Sequence, residues 1–177
     1  MKATFSVNIC NNQFSLQTIN INDIEYLRQW KNEHKEFFFY KNEISKIEQE
    51  NWFFELNKRL SDHIFIVYDN TSPVGCIGAR LTESCVDIYN VILGNKIYKG
   101  KHVMKNALWA VVSLNSLLYF AKPNRVSVLK NNPAINWYEK IGFKIINNFQ
   151  DYVLMEFQDS IIDTKYNFNI NISLPLI

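Results

Sequence analysis

The segment that decides the fold runs from residue 131 to residue 143 and reads Asn131-Asn132-Pro133-Ala134-Ile135-Asn136-Trp137-Tyr138-Glu139-Lys140-Ile141-Gly142-Phe143. Asparagine is favoured at a helix cap and proline in the first turn, so Asn132 and Pro133 predict the start of a helix. Gly142 predicts its end, because glycine adopts the left-handed conformation that closes many helices. This block therefore encodes a short helix together with both of its ends.

A basic loop upstream of that helix is the second distinctive segment. It reads Tyr98-Lys99-Gly100-Lys101-His102-Val103-Met104 and stands between a predicted strand and a long predicted helix. The free amide groups and the dipole at such a helix start favour an anion such as phosphate. Gly100 would let the backbone come close to a ligand. Taken alone, however, the loop is more typical of an ordinary turn with solvated lysines.

Hydrophobic spacing and capping signals predict the remaining elements. Strands are predicted at residues 14–21, 63–68, 74–81, 85–93, 125–129, 144–146 and 152–157. Capping-box spacing occurs at residues 22–25 and 45–48, and it predicts two helices after the first strand. The apolar face predicted for the second helix consists of Trp52, Phe53, Leu56 and Leu60. The resulting order, βααβββαβαββ, predicts a mixed α/β domain.

Composition limits the class of protein. The chain has 177 residues, of which 47% are hydrophobic and 20% charged, and its formal net charge is +2. This length suits one domain, and the apolar content suits a packed core rather than a disordered chain. The small net charge argues against a general nucleic-acid or membrane-surface binder. We expect a domain over residues 1–158 and an extension over residues 159–177 that adds either a strand or a dimer contact.

The cysteine pattern indicates a reducing compartment. Cys10, Cys76 and Cys85 form no CxxC pair and are odd in number, so they predict neither a disulfide framework nor a metal site. The amino terminus lacks the continuous apolar run of a signal peptide. Residues 108–121 are too short and too interrupted by polar side chains to span a bilayer. We therefore expect a cytoplasmic protein without membrane or nucleic-acid partners.

The helix block and the basic loop together resemble the two signature motifs of the GNAT superfamily, the acyl-CoA-dependent N-acetyltransferases. The resemblance covers roughly residues 14 to 157, and both motifs fall at the proper elements of the predicted order. It implies a single GNAT-like domain with a central, mostly antiparallel sheet. It also implies an enzyme that transfers an acetyl group from acetyl-CoA to a primary amine.

The resemblance implies a cofactor site. The amides from Lys99 to Met104 would receive the pyrophosphate of coenzyme A, and the main chain from Val91 to Leu93 would pair with its pantetheine arm. Two positions in the loop hold His102 and Met104 where the family usually has glycine, so their side chains are expected to crowd the phosphates. The residues implied at the cofactor are Val91, Ile92, Leu93, Lys99, Gly100, Lys101, His102, Val103, Met104, Asn131 and Tyr138.

Two residues are candidates for catalysis. Tyr138 matches the family tyrosine that protonates the departing thiolate, and the alternative is a tyrosine that only packs in the core. Asp87 is the first candidate for the base that deprotonates the amine, and the alternative is a solvent-facing aspartate. Glu83 and His34 are weaker candidates for the base. An amide near Val91 or Ile92 would stabilise the oxyanion.

The acceptor amine is expected over the first two helices and their aromatic linker. Residues 27–32 resemble a stretch common in family members that acetylate sugar-nucleotide amines or protein amino termini. An aromatic wall around Tyr40 would suit a sugar or nucleobase, although such residues are more often core. The residues predicted to bind the acceptor are His34, Tyr40, Trp52 and Tyr89.

Three functions remain open at this stage. The preferred one is acetylation of a small amine such as an amino-sugar nucleotide, because the sequence shows no acidic trough for a basic peptide. The second is acetylation of a protein amino terminus. The third is a catalytically degenerate protein that binds coenzyme A or a partner, because His102 and Met104 replace the expected glycines. A homodimer is compatible with each of the three functions.

Overall fold

The computed structural model of this protein describes residues 4–9, 13–158 and 169–173. The strands are β1 (Thr4–Ile9), β2 (Phe14–Thr18), β3 (Asp62–Asp69), β4 (Ser72–Leu81), β5 (Val86–Leu93), β6 (Asn124–Leu129), β7 (Phe143–Asn148), β8 (Tyr152–Phe157) and β9 (Asn169–Ser173). The α-helices are α1 (Ile24–Glu33), α2 (Lys46–Lys58), α3 (Val103–Leu118) and α4 (Ala134–Lys140). Short 3-10 turns occupy Lys35–Phe37 and Lys96–Tyr98. The mixed α/β fold is confirmed, and β2 to β8 follow the predicted order.

The described strands form one sheet in the order β7-β8-β6-β5-β4-β3-β2-β1-β9. Neighbouring strands are antiparallel except for β5 and β6, which are parallel. Successive residues of a strand point to opposite faces, and β3 shows this clearly. Phe65 and Val67 pack into the core shared with α3 and α4, whereas Ile64 and Ile66 pack into the core shared with α1 and α2. Helices therefore cover both faces of the sheet.

Two strands beyond β2, at one side of the sheet, extend the predicted order. In β1 the alternating side chains Phe5, Val7 and Ile9 are buried, and this strand is absent from the predicted order. Strand β9 pairs with β1 from Asn169 to Ser173 and so places part of the extension in the sheet. Cys10 and residues 159–168 and 174–177 lie outside the described residues.

The first predicted capping box is wrong. The N-cap position of α1 is Asp23 rather than Asn22, and its side chain makes no capping hydrogen bond. Glu25 pairs with Arg28 at 2.7 Å instead of reaching back to the cap. Asp23 is held otherwise, because its carboxylate accepts hydrogen bonds from the Asn20 amide at 2.9 Å and from the Tyr68 hydroxyl. These bonds occupy the carboxylate that would otherwise cap the helix.

The start of α2 confirms the second capping box. The Ser45 hydroxyl accepts from the Glu48 amide at 3.3 Å, and the Glu48 carboxylate accepts from the Ser45 amide at 2.7 Å. Its predicted apolar face needs correction. Leu60 follows the end of the helix and is 69% exposed, and Gln49 takes a buried position beside Phe53 and Leu56.

Candidate active site

The cleft of this protein opens where the only parallel pair of described strands separates. Strands β5 and β6 pair at Val86–Ile88 and Asn124–Val126 and then diverge, leaving one edge of residues 89–93 without a partner strand in the described chain. A cavity of about 1080 Å³ lies at this divergence. Side chains from α1, the segment after it, β4, β5, β6 and α4 line it.

A β-bulge sits in β5 at the divergence. Gly78 pairs with Tyr89 and Cys76 with Ile92, so two residues of β5 face one residue of β4. The first of the two, Asn90, has a left-handed φ of +48°. Burial raises the pKa of Cys76 to about 12, so its thiol stays protonated and donates to the Asn90 carbonyl at 3.1 Å. This bond holds the bulge beside the open edge.

The basic loop has the backbone of a glycine-rich turn. Gly100 has a φ of +80°, and a Cβ built on it would meet nothing within 4 Å. His102 caps α3 with a φ of +59°, a conformation that glycine adopts more easily. The first helical hydrogen bond runs from the Asn106 amide to the His102 carbonyl at 3.0 Å, so the amides of residues 102–105 have no helical acceptor. The start of α3 can therefore receive an anion. The amides of Lys99 and Lys101, which the sequence assigns to the pyrophosphate, instead donate to the Lys96 and Tyr98 carbonyls, each at 3.1 Å.

The side chains of this loop point in different directions. Val103 and Met104 are buried in the core, and Met104 sulfur lies beside Gly75, so Met104 does not crowd the cleft as expected. Lys101 stacks on the Tyr98 ring with 5.1 Å to its centroid. Among the loop residues predicted to bind the cofactor, Lys99 is the one whose side chain lines the cleft.

Tyr138 lies on α4 and lines the cleft. It is 5% exposed, between the rings of Trp137 and Phe143 at centroid distances of 5.0 and 5.3 Å. No described protein group accepts a hydrogen bond from its hydroxyl, and burial raises its pKa. The ring thus packs as the core alternative requires, while the hydroxyl keeps its proton for a ligand.

The asparagine at the cleft differs from the one chosen from the sequence. Asn131 is exposed, and its side-chain amide reaches the Glu36 carbonyl at 3.5 Å. Asn132 lines the cleft, and its side-chain oxygen accepts from the Ala134 amide at 2.9 Å at the start of α4. The sequence predicts Asn132 as the cap and Pro133 in the first turn, whereas in the structure Pro133 is the N-cap and α4 begins at Ala134. The second asparagine, Asn132, is the one that lines the cavity.

Asp87 and Arg80 form an ion pair that lines the cleft. They lie opposite each other in β5 and β4, and Arg80 Nη2 is 2.6 Å from Asp87 Oδ2. Burial raises the pKa of Asp87, although the hydrogen bond and charge of Arg80 act to lower it. The carboxylate therefore binds a proton more readily than a surface aspartate. Arg80 was not singled out from the sequence, because only the strand register places it there.

Tyr89 lines the cleft, and its hydroxyl forms a hydrogen bond inside the protein. The hydroxyl donates to Asp62, which is 1% exposed and whose carboxylate is also 3.1 Å from Arg59. Arg80 lies over the Tyr89 ring at 5.1 Å from its centroid. The predicted ligand-binding tyrosine is thus a rigid wall, anchored by a buried aspartate that the sequence pattern did not reveal.

The other predicted acceptor residues divide between the cleft and the outside. His34 and Tyr40 line the cleft, together with Lys31 and Phe38. Trp52 packs partly buried against the core beneath α1 and α2 and does not line it. Glu83, a weaker candidate for the base, also lies outside, near Lys122, which donates to its carbonyl.

The fold and the cleft together define a domain of the acyltransferase class. The chain belongs to the acetyltransferase (GNAT) family, whose model matches residues 25–143. The family inferred from the two motifs is therefore confirmed. Among curated proteins, none matches the chain in sequence.

Solved structures of known acetyltransferases share this fold. FdhC, a nucleotide-linked sugar GNAT protein, gives a TM-score of 0.71 at 18% identity and covers 86% of this chain and 89% of its own. RimL, a ribosomal alpha-N-protein acetyltransferase solved with coenzyme A, gives 0.66 at 12% identity, over 81% and 92%. The spermidine N-acetyltransferase of Vibrio cholerae, solved with coenzyme A and spermine, gives 0.66 at 16% identity, over 82% and 94%. These identities establish the fold and leave the acceptor undetermined.

The described residues contain neither a helix that could span a membrane nor a cluster of metal-binding side chains. No helix there is both long and apolar enough to cross a bilayer. No group of three or more histidine, cysteine, aspartate or glutamate side chains lies close enough to hold a metal ion in the same part of the chain.

Proposed function

We propose that this protein is an N-acetyltransferase that transfers the acetyl group of acetyl-CoA to the primary amine of a small molecule. One observation carries the proposal: the Asp87 carboxylate and the buried Tyr138 side chain line the same cavity at the β5–β6 divergence. Amide formation from a thioester needs a base for the incoming ammonium and an acid for the departing thiolate. The cleft offers one group of each kind.

The residues around the divergence fit acetyl-CoA. The free edge of residues 89–93 suits the amides of a pantetheine arm, as an added strand would. The open space at Gly100 and the amides at the start of α3 suit a pyrophosphate, to which Lys99 adds a positive charge. We refer to residues 89–93 and 99–104 as the cofactor wall. Bound acetyl-CoA would supply a thioester carbon open to attack by an amine.

The chain's own groups then have separate roles. Asp87, held by Arg80, accepts a proton from the ammonium and leaves the neutral amine that can attack. The amides of the bulge at Val91 and Ile92 donate to the carbonyl oxygen where negative charge develops. Tyr138 remains protonated because burial raises its pKa, and its hydroxyl gives that proton to the departing sulfur.

The acceptor is proposed to be an amino-sugar nucleotide or a similar small amine. We refer to Lys31, His34, Phe38 and Tyr40 as the acceptor wall. Its basic and aromatic side chains suit a sugar, base or anionic group and repel a polyamine such as spermidine. Acetylation of a protein amino terminus stays the alternative acceptor.

A thermal-melt series with acetyl-CoA tests this proposal. A ligand at about 100 times its Kd stabilises the native state by about 2.7 kcal/mol, so a saturable rise in Tm is expected. Saturating ATP serves as the control, because it carries phosphates without a pantetheine arm. Thiol release in the presence of an amine panel should then detect turnover. Binding without turnover of any amine or amino-terminal peptide would favour the degenerate protein instead.

The proposed compartment is the cytoplasm. Cys76 and Cys85 both carry free thiols, which suits a reducing environment. A homodimer stays a prediction, and size-exclusion chromatography with light scattering would test it.

A further inference from the structure

Lys31 is a partly buried cation in the acceptor wall. It lies in the last turn of α1, lines the cleft, and places its ammonium 5.7 Å from the centre of the Phe38 ring. Burial lowers its pKa from the ordinary lysine value, because water that would solvate the charge is excluded. A charge in such a position normally has a partner.

Two other cations that line the cleft are paired within the protein. Arg80 bonds to Asp87 at 2.6 Å, and Lys96 lies 4.0 Å from Glu33. Within the described ranges, no carboxylate lies within 4.0 Å of the Lys31 ammonium. The ammonium in the acceptor wall thus has no anionic partner among these residues.

The groups that surround Lys31 do not supply the missing charge. One titratable group that acts on its charge is the Cys76 thiol, which stays protonated and neutral because burial raises its pKa to about 12. The carboxyl end of α1 offers only the partial negative charge of the helix dipole. His34 follows about one turn later and lines the same cavity, and its imidazole can donate a hydrogen bond to an anion.

We propose that Lys31 and His34 form an anion subsite that receives a phosphate or carboxylate group carried by the amine substrate. The subsite rests on the proposed function and narrows it to anionic amines. Lys99, at the start of the opposite wall, is available for the phosphates of the cofactor, so the two anions do not compete for one lysine.

Matched acceptors give the direct test. With saturating acetyl-CoA, kcat/KM is measured by thiol release for glucosamine, glucosamine 6-phosphate, glucosaminic acid, a nucleoside-diphosphate-linked amino sugar and spermidine. The phosphate and carboxylate members distinguish the two sources of the anion. We expect at least one anionic member to exceed glucosamine by about tenfold or more, as a desolvated charge pair allows.

Variants of Lys31 test whether the subsite causes the preference for anionic acceptors. Lys31→Met should remove the advantage of the anionic member, mainly through a higher KM, and Lys31→Glu should shift the preference toward spermidine. Lys35→Met is the matched control, because Lys35 is exposed just after α1 and does not line the cleft. A lysine that only stabilises the helix end would lower Tm in the Lys31 variants without changing the order of substrates.

The outcomes separate this inference from the proposed function. If charged and neutral amines are acetylated with equal kcat/KM, and Lys31→Met does not change these values, the anion subsite is overturned. The proposal that the protein is an acetyltransferase is then unaffected. If no amine is acetylated, the proposed function fails, and binding alone tests the subsite. UDP and gluconate are then added to the coenzyme A-saturated protein. A rise in Tm that Lys31→Met loses and Lys35→Met keeps supports the subsite, and no rise with either probe overturns it.

Discussion

The cofactor wall is built mainly from main chain, whereas the acceptor wall is built from side chains. In the cofactor wall, one edge of residues 89–93 has no partner strand among the described strands, and Val103 and Met104 turn into the core. In the acceptor wall, Lys31, His34 and Tyr40 extend their side chains into the cavity. One wall therefore needs a backbone conformation, and the other needs particular functional groups.

This difference has consequences for substitution. A main-chain site tolerates many side chains as long as φ and packing are kept, which explains how His102 occupies a position with a φ of +59°. A side-chain site changes its specificity with one replacement. Asp87 and Tyr138 line the same cavity as both walls and are the groups proposed to move protons, so the largest effects on turnover are expected there.

The largest effect is expected for Tyr138→Phe. The ring packing against Trp137 and Phe143 is kept and only the hydroxyl is lost, so kcat should fall by about 10² to 10³ while acetyl-CoA affinity changes little. Stopped-flow thiol release and the acetyl-CoA melt series measure the two quantities. Tyr119→Phe, a partly buried tyrosine outside the cleft, is the control. If the Tyr138→Phe enzyme has the kcat of the wild type, Tyr138 only packs in the core and has no role in catalysis.

Asp87→Asn should lower kcat/KM by about 10² near neutral pH. The sign of the pH dependence follows from burial, which raises the pKa of Asp87. The carboxylate can accept a proton only above that pKa, so wild-type activity should fall as pH decreases through it. Arg80→Met removes the group that acts to lower the pKa, and it should move this acidic limb to higher pH.

A pH–rate profile of kcat/KM for the three proteins checks the assignment. Asp87→Asn should have no acidic limb. If it keeps the limb at the wild-type position, the base is another group.

Two glycine substitutions should separate the walls. A Cβ on Gly94 would lie 2.0 Å from the Trp30 ring, so Gly94→Ala must displace α1. We expect a loss of about 1–3 kcal/mol in the free energy of unfolding, as for an overpacked core, and a higher KM for the amine. Gly100→Ala meets no neighbour but needs a φ of +80°, a strain of about 1–2 kcal/mol that should weaken acetyl-CoA binding instead.

Denaturant unfolding and the two KM values measure these effects. Equal changes in both KM values for both variants would show that the walls are not independent.

The smallest effect is expected for His102→Gly. Glycine relieves the left-handed strain at this cap and removes a side chain beside the anion site, so acetyl-CoA should bind about two- to fivefold more tightly. Titration calorimetry measures the change. Weaker binding in the glycine variant would indicate that the imidazole itself contacts a phosphate.

Local sequence patterns predict much of the fold and part of the candidate site. The capped helix over residues 134–140, the basic loop and the strand at Asp87 were predictable because capping, glycine conformation and alternation depend on neighbours in the chain. The same signals failed at the start of α1. There Tyr68, distant in sequence, donates to Asp23 and changes which side chain is free to cap.

The sequence by itself determined the family, the order of elements from β2 to β8 and the candidate pair Asp87 and Tyr138. Only the tertiary structure decided that Asn132 rather than Asn131 reaches the cleft, that Arg80 pairs with Asp87, and that Lys31 meets no carboxylate among the described residues. Spacing along a chain predicts which way a side chain faces. Residues far apart in sequence determine the register between strands, the burial of a side chain and whether a charge has a partner. These three properties set the chemistry of the site.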